Sequence, residues 1–384
     1  MIIEIDESIT NLPEIIEGKE DSYAIFALEL IGHSIVCGYQ AIIGNRNVFD
    51  FLTSYTPLSI PSRNAYKLIF IDYSKVETIK NLTKAPYGFS VLRLVYGQSE
   101  PVILISESII CVSISFAGNH TFLGNKSCIM GEDRSDGVFF EILAKKYLWA
   151  KCKLPESYIT LEIRGGGGSQ TGINHAELCK EQSNMCICVV DSDKVSPKSP
   201  IGSTAGKCVE ELEHVNMSGG KYLGKLVILQ CREIENLIPL EVMVSIHQNQ
   251  QMKQLLKSIS QDHDLLECYA FIDIKRGIFI KSIIEAYKYD PTFSKPLEGF
   301  LAITSRCLGA RECSRTWDNL CNHCQIITGQ ANILTKVTEI LLQDRKTDWF
   351  RLDIRDSSTL LDQETLRVGK CVAEWGLCYH PRRG

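Results

Sequence analysis

Three groups of carboxylates stand where apolar runs end. Glu132 closes Cys128-Ile129-Met130-Gly131 and is followed by Asp133 and Asp136. Asp191 and Asp193 close Met185-Cys186-Ile187-Cys188-Val189-Val190, and Glu233 and Glu235 follow Leu226-Val227-Ile228-Leu229-Gln230-Cys231. Runs of this kind read as buried strands. Carboxylates at strand ends of an α/β sheet lie where such sheets hold ligands. Several of them converging repel one another unless a hard cation neutralises them, and Mg²⁺ is the usual one. The chemistry this predicts is metal-assisted attack on a phosphate ester.

The elements that must position these groups alternate. A short strand ends at Met130, and a helix over residues 137–149 follows, with Asp136 where an N-cap would be. A second strand over 158–163 runs into Arg164-Gly165-Gly166-Gly167-Gly168, a helix covers 172–182, a third strand ends at Asp191 and a fourth at Cys231. Strands alternating with helices predict a parallel sheet. Residues 1–125 read as a separate α+β domain with strands over 66–73, 91–96 and 109–116, and the turn-rich 117–125 marks its end. Residues 246–384 read as mostly helical, clearest at 277–287 and 332–342.

The order strand–Glu132, helix, strand–glycine loop, helix, strand–Asp191-x-Asp193, strand–Glu235 resembles the TOPRIM domain of topoisomerases, bacterial primases and OLD-type nucleases with their anti-phage relatives. The resemblance covers residues 126–245. The family's Glu-Gly-x-x-Asp pattern stands here as Glu132-Asp133-Arg134-Ser135-Asp136, with Asp133 where glycine is usual. The resemblance implies an α/β fold with a TOPRIM-like parallel-sheet core. It also implies that Glu132 is general acid/base or shares a metal, and that Asp191 and Asp193 bind Mg²⁺ (or Mn²⁺), with Asp136 in the ligand set. Residues i and i+2 of a strand point the same way, so the two aspartates reach one ion if the strand continues that far. In Glu233-Ile234-Glu235-Asn236 a Glu-Asn pair is similar to an element of defence nucleases in which a further acid supports a second metal. Glu235 is favoured over Glu233, and the alternative is a helix start capped by acids.

Other motifs carry two readings each. Gly165, Gly166 and Gly167 with Arg164 either cradle a substrate phosphate or form a turn. In Asp273-Ile274-Lys275-Arg276, Lys275 or Arg276 meets a phosphate and Asp273 joins the acids, or the stretch only leads into a helix. Cys307, Cys313, Cys321 and Cys324, with His323 inside the last pair, are either a structural zinc site or a chance cluster. The stretch Gly202-Ser203-Thr204-Ala205-Gly206-Lys207-Cys208 is one residue short of a Walker A loop and ends in Cys. No ATPase site is therefore expected here, and an ATPase partner on another chain fits.

The chain has 384 residues, 45% hydrophobic and 23% charged, with a net charge of −5. No global positive field draws in nucleic acid, so its phosphates must be met locally. No run approaches the roughly 18 apolar residues of a membrane span. The acidic start lacks the basic residues of a secretory signal, so the sixteen cysteines are read as reduced thiols in a cytoplasmic protein. The expectation is a metal-dependent endonuclease acting on DNA or RNA, transfer RNA included. Residues 1–125 would sense, inhibit or form a homo-oligomer. The alternatives are a primase- or topoisomerase-like enzyme and a non-catalytic TOPRIM-like binding module.

Overall fold

The computed structural model describes residues 1–106, 108–216, 223–301, 324–343 and 359–379. The first sheet contains β1 (Ile2–Ile5), β2 (Ala41–Gly44), β3 (Val91–Val95), β4 (Val102–Ser106) and β5 (Ile109–Ser113), in the order β2-β1-β3-β5-β4. Its first four strands in that order run parallel, and β4 returns antiparallel along the edge. The strands are short and β-branched, and β1 and β2 are almost wholly buried, as sheets covered on both faces require.

This part of the chain is mostly parallel α/β, not the α+β arrangement expected from sequence. The error lies in residues 66–73. They belong to the helix Ile60–Ile71, capped by Ser59, and to the start of the helix Tyr73–Leu82. Ser62, Ala65, Tyr66 and Ile69 are the buried positions, which is the i, i+3, i+4, i+7 stripe of a helix, while Ile71 faces out. An apolar run of this length does not by itself distinguish strand from helix.

The second sheet has β6 (Cys128–Gly131), β7 (Glu162–Gly165), β8 (Cys186–Val190) and β9 (Gly224–Ile228), all parallel, in the order β7-β6-β8-β9. The connecting helices are Arg134–Tyr147, Thr171–Glu181 and Ser203–Asn216. Arg134–Tyr147 packs with the C-terminal helix Leu360–Gly376 on one face, and the other two helices pack together on the opposite face. The chain steps outward from β6 to β7, then crosses back to β8. The strand order therefore reverses between β6 and β8, and an open α/β sheet forms its ligand crevice at that reversal. Strand ends differ from expectation by a few residues. The second strand lies later than 158–163, the third stops at Val190, and the fourth stops at Ile228, so Leu229 to Glu233 form a turn-rich approach.

Beyond this sheet the chain is largely helical, as expected, except for an antiparallel pair, β10 (Gly277–Phe279) and β11 (Gln325–Thr328). The helix expected over 277–287 accordingly starts at Ile280. Cys307, Cys313, Cys321 and His323 lie outside the described residues, whereas Cys324 is buried. One continuous apolar core includes Ile3, Leu92, Ile129, Phe139, Ile187 and Val368, so residues from both sheets and the C-terminal helix share it.

The helices Thr171–Glu181 and Ser203–Asn216 meet at a glycine. A Cβ on Gly172 would lie 2.9 Å from Cys208 Cα. Gly172→Ala must push the two backbones apart, an overpacking cost of about 1–3 kcal/mol. The urea midpoint of the variant should fall; an unchanged midpoint would show that the helix pair is looser than this contact implies.

Candidate functional site

Glu132 leaves β6 at the reversal. A Cβ on Gly131 would lie 2.5 Å from Asp136 Cβ, so only glycine lets the chain turn this tightly into the next helix. The helix begins at Arg134, with Asp133 and not Asp136 as its N-cap. Asp133 has φ −119°, an extended conformation open to any residue, so an aspartate at this position carries no strain. Asp136 is the third helical residue, and its carboxylate accepts the Asp133 N–H at 2.8 Å.

The glycine loop is committed elsewhere than to an anion. Gly166 N–H donates to Gly131 O at 2.7 Å, while Gly167 and Gly168 N–H donate to Glu132 O at 3.0 and 3.3 Å. The amides expected to cradle a phosphate instead brace the strand end that carries Glu132. Gly165 is the last residue of β7, and Arg164 pairs with Glu162 on its own strand at 2.9 Å. The phosphate-binding role expected of these four residues is not the one their contacts describe.

Asp191 and Asp193 do not share a strand face. β8 has ended, and Asp193 sits at φ +55°, in the left-handed region. Asp193 N–H donates to Arg232 O at 2.9 Å, and its side chain packs against Gly202, where a Cβ would lie 2.4 Å from Oδ2. Asp193 is the strongest like-charge neighbour of Glu132. Asp191 instead accepts the Ile234 N–H at 2.9 Å and faces Lys275, whose Nζ is 3.9 Å away.

The third acidic group is clamped. Glu233 N–H donates to Asn236 Oδ1, and the Asn236 amide donates to Tyr269 O at 2.8 Å and Ile272 O at 3.1 Å. Glu233 Oε1 accepts the Ile274 N–H at 2.6 Å. These bonds fix the turn that carries the next residue, Lys275. Its Nζ lies 3.1 Å from Glu235, itself 1% exposed. Lys275, expected from sequence to meet a phosphate, thus joins the carboxylates. Asp273 does not. It pairs with Arg232 at 3.2 Å and accepts the Arg276 N–H at 2.8 Å. Sequence reasoning noted Asn236 without seeing its clamping role, and it missed the Arg232–Asp273 pair. The signal was a buried-type Glu-x-x-Asn capping box.

Burial dominates the electrostatics. It lifts Glu132 from 4.5 to about 7, with Asp193 and Asp136 adding to it and Lys275 opposing. It lifts Glu233 to about 8, helped by Glu235 and Asp273. Asp136, Asp191 and Glu235 also rise, chiefly through burial. Burial disfavours the Lys275 charge, but Glu235, Asp191 and Glu233 outweigh this and hold the ammonium above the ordinary lysine range. Glu132 Oε1 is buried without a hydrogen-bond partner among the described residues.

Every donor in this group is a hard carboxylate oxygen, the type that holds Mg²⁺ or Mn²⁺. Among the described residues, no three acids, histidines or cysteines are grouped in the geometry of a metal site, and Lys275 supplies positive charge in their midst. None of the described helices is long and apolar enough to cross a membrane. No protein-family model, no curated protein and no solved structure matches this chain.

The raised carboxylates couple stability to pH. Between the unfolded value near 4.5 and the folded values of about 7 and 8, the native chain holds protons that the unfolded chain has released. This stabilisation is complete below about 4.5 and is lost as pH rises through about 7 to 8. In a chelator, the urea midpoint should fall from about pH 5 to about pH 8, less steeply in Glu132→Gln. The same slope in both proteins would remove Glu132 from the set of buried, protonated acids.

Proposed function

We propose that this chain is a metal-dependent phosphodiesterase acting on nucleic acid, of the TOPRIM nuclease type. The observation that carries the reading is the placement of Asp191 and Glu235 against Lys275, with Glu132 and Asp136 within reach of its charge and Asp193 beside Glu132, at the carboxyl ends of β6 and β8, where the strand order reverses. Their carboxylate oxygens are the hard donors a divalent cation takes, but holding one together would require them to draw closer than they stand among the described residues. When bound, it neutralises phosphate charge and lowers the pKa of water.

The chain's own groups have separable tasks. Glu132, half-charged near neutral pH and with one free buried oxygen, can accept a proton from the attacking water. Lys275 is 44% exposed on its side chain, so it can meet an incoming phosphoryl oxygen while holding Glu235 and Asp191. The glycine loop holds Glu132 in place through its carbonyl. Arg134, Lys194, Lys207 and Arg276 follow or border the same loops and supply the local positive charge that a chain of net charge −5 needs for a polyanion. In this reading the substrate is DNA or RNA, the setting is anti-phage defence, and an ATPase on another chain provides the nucleotide-driven step. One observation favours a second, non-catalytic reading: an ammonium already balances the acids, as it would in a binding module.

Cleavage of plasmid DNA, single-stranded DNA and a transfer-RNA pool with Mg²⁺ or Mn²⁺ tests the proposal. Asp191→Asn and Glu132→Gln should each lower the rate by about a hundredfold or more, the scale of a lost acid–base or metal-binding group. Cleavage that survives both substitutions would place the chemistry elsewhere, and metal binding with no cleavage would favour the binding module.

A further inference from the structure

The first sheet leaves one of its two edges open. β2 ends the sheet on one side, is wholly buried, and has the helix Tyr73–Leu82 packed against it. β4 ends it on the other side. There Leu104 is 68% exposed and Ile105 58% exposed, although both are large apolar residues. Edge strands are normally blunted by lysine, proline or an inward charge, because their free backbone groups invite pairing with another strand. β4 reads Val-Ile-Leu-Ile-Ser and carries none of these.

The register fixes which backbone groups are free. β4 runs antiparallel to β5, with Val102 opposite Val112, Ile103 opposite Cys111 and Leu104 opposite Ile110. Just before, Ser113 N–H donates to Pro101 O at 2.9 Å, so Pro101 and Ser113 form a hydrogen-bonding pair. Such pairs alternate along an antiparallel ladder. Ile103 therefore turns its N–H and C=O toward Cys111, while Val102 and Leu104 turn theirs to the open edge. The register shift that follows Leu104 ends this pattern. The edge thus offers two donors and two acceptors, placed symmetrically about Ile103.

A strand with that arrangement complements itself. We propose that β4 pairs antiparallel with β4 of a second copy of this chain, about a two-fold axis at Ile103, so that the two sheets become one. In that register Val102 of each copy meets Leu104 of the other, and all the open donors and acceptors are used. Ile103 meets Ile103 across the axis and Ile105 meets Pro101, so the exposed apolar side chains cover one another. Charge agrees with this occupant. No charged residue lies in Val102–Ser106, and Glu100 falls toward Ser106 and not toward a second acid. A basic partner strand would find no acid within Val102–Ser106 to answer it. The covered β2 edge stops growth at two copies, where two open edges would continue into a fibre. One strand edge makes a contact at the small end of specific interfaces, so the dimer should dissociate on dilution.

Sedimentation velocity on the full chain in reducing buffer, over a dilution series from about millimolar to low micromolar, reads the association. The dimer should build up with concentration. Leu104→Pro removes an outward N–H that β5 does not use, and Leu104→Lys puts a charge at an exposed edge position. Each should weaken dimerisation by about tenfold or more. The melting temperature of dilute Leu104→Lys should match that of the dilute wild type. Ile103→Cys reads the register. A non-hydrogen-bonded antiparallel pair stands about 4.5 Å apart at Cα, within disulfide range. With glutathione disulfide as oxidant, Ile103→Cys should cross-link two copies through position 103, mapped by peptide mass spectrometry. Ile105→Cys should not link to itself, because its two copies stand about 14 Å apart. None of these readouts involves the carboxylate group, so they hold whether or not that group cleaves nucleic acid. The proposal is overturned by a chain that stays monomeric across the series, by a dimer that both Leu104 variants leave intact, or by cross-linking at position 105 in place of 103.

Discussion

One ammonium group balances acids delivered by segments that are distant in sequence. Lys275 reaches Glu235 and Asp191, and it opposes the upward shift of Glu132, Asp136 and Glu233. Without a cation here, burial and mutual repulsion would leave these acids to take up protons. The position of Lys275 is not left to a long flexible side chain alone. Asn236 holds the carbonyls of Tyr269 and Ile272, and Glu233 holds the amide of Ile274, so the backbone beside Lys275 is tied to the turn that carries Glu235. A charged partner is therefore set by a buried polar network whose members satisfy one another, the condition under which such networks specify one arrangement.

The other side of the site is built on main chain. The loop after β7 spends its amides on Gly131 and Glu132, so the loop and the acid are held together. That division of labour explains a glycine-rich loop beside an acidic site without giving the loop an anion. Gly166 is required because a Cβ there would lie 2.8 Å from Gly131 O, the acceptor of its own amide bond.

How far the sequence could be read depends on the range of the interactions. The parallel core was legible because β6, β8 and β9 are short apolar runs that each end near carboxylates, and the helix between β6 and β7 shows clear spacing. Residues 66–73 were misread because the local run suits either element, and only the buried stripe Ser62, Ala65, Tyr66, Ile69 decides it. Asp191 and Asp193 looked like a same-face pair because a strand was assumed to continue. The left-handed residue at Asp193, held by Arg232 O, is a tertiary feature with no local signal. The place of Lys275 depends on Asn236 and Glu233 bonding a segment more than thirty residues away, which no spacing rule contains.

The two sheets share a winding. In each, the first strand is central, the second lies to one side and later parallel strands lie to the other, so each has its own reversal and carboxyl-edge crevice. What differs is the chemistry placed there. The second sheet ends in buried carboxylates around one lysine. The first ends beside hydroxyls, two rings, one lysine and one glutamate. One apolar core includes residues of both sheets and the C-terminal helix, so the two carboxyl edges are positioned by a single packed interior.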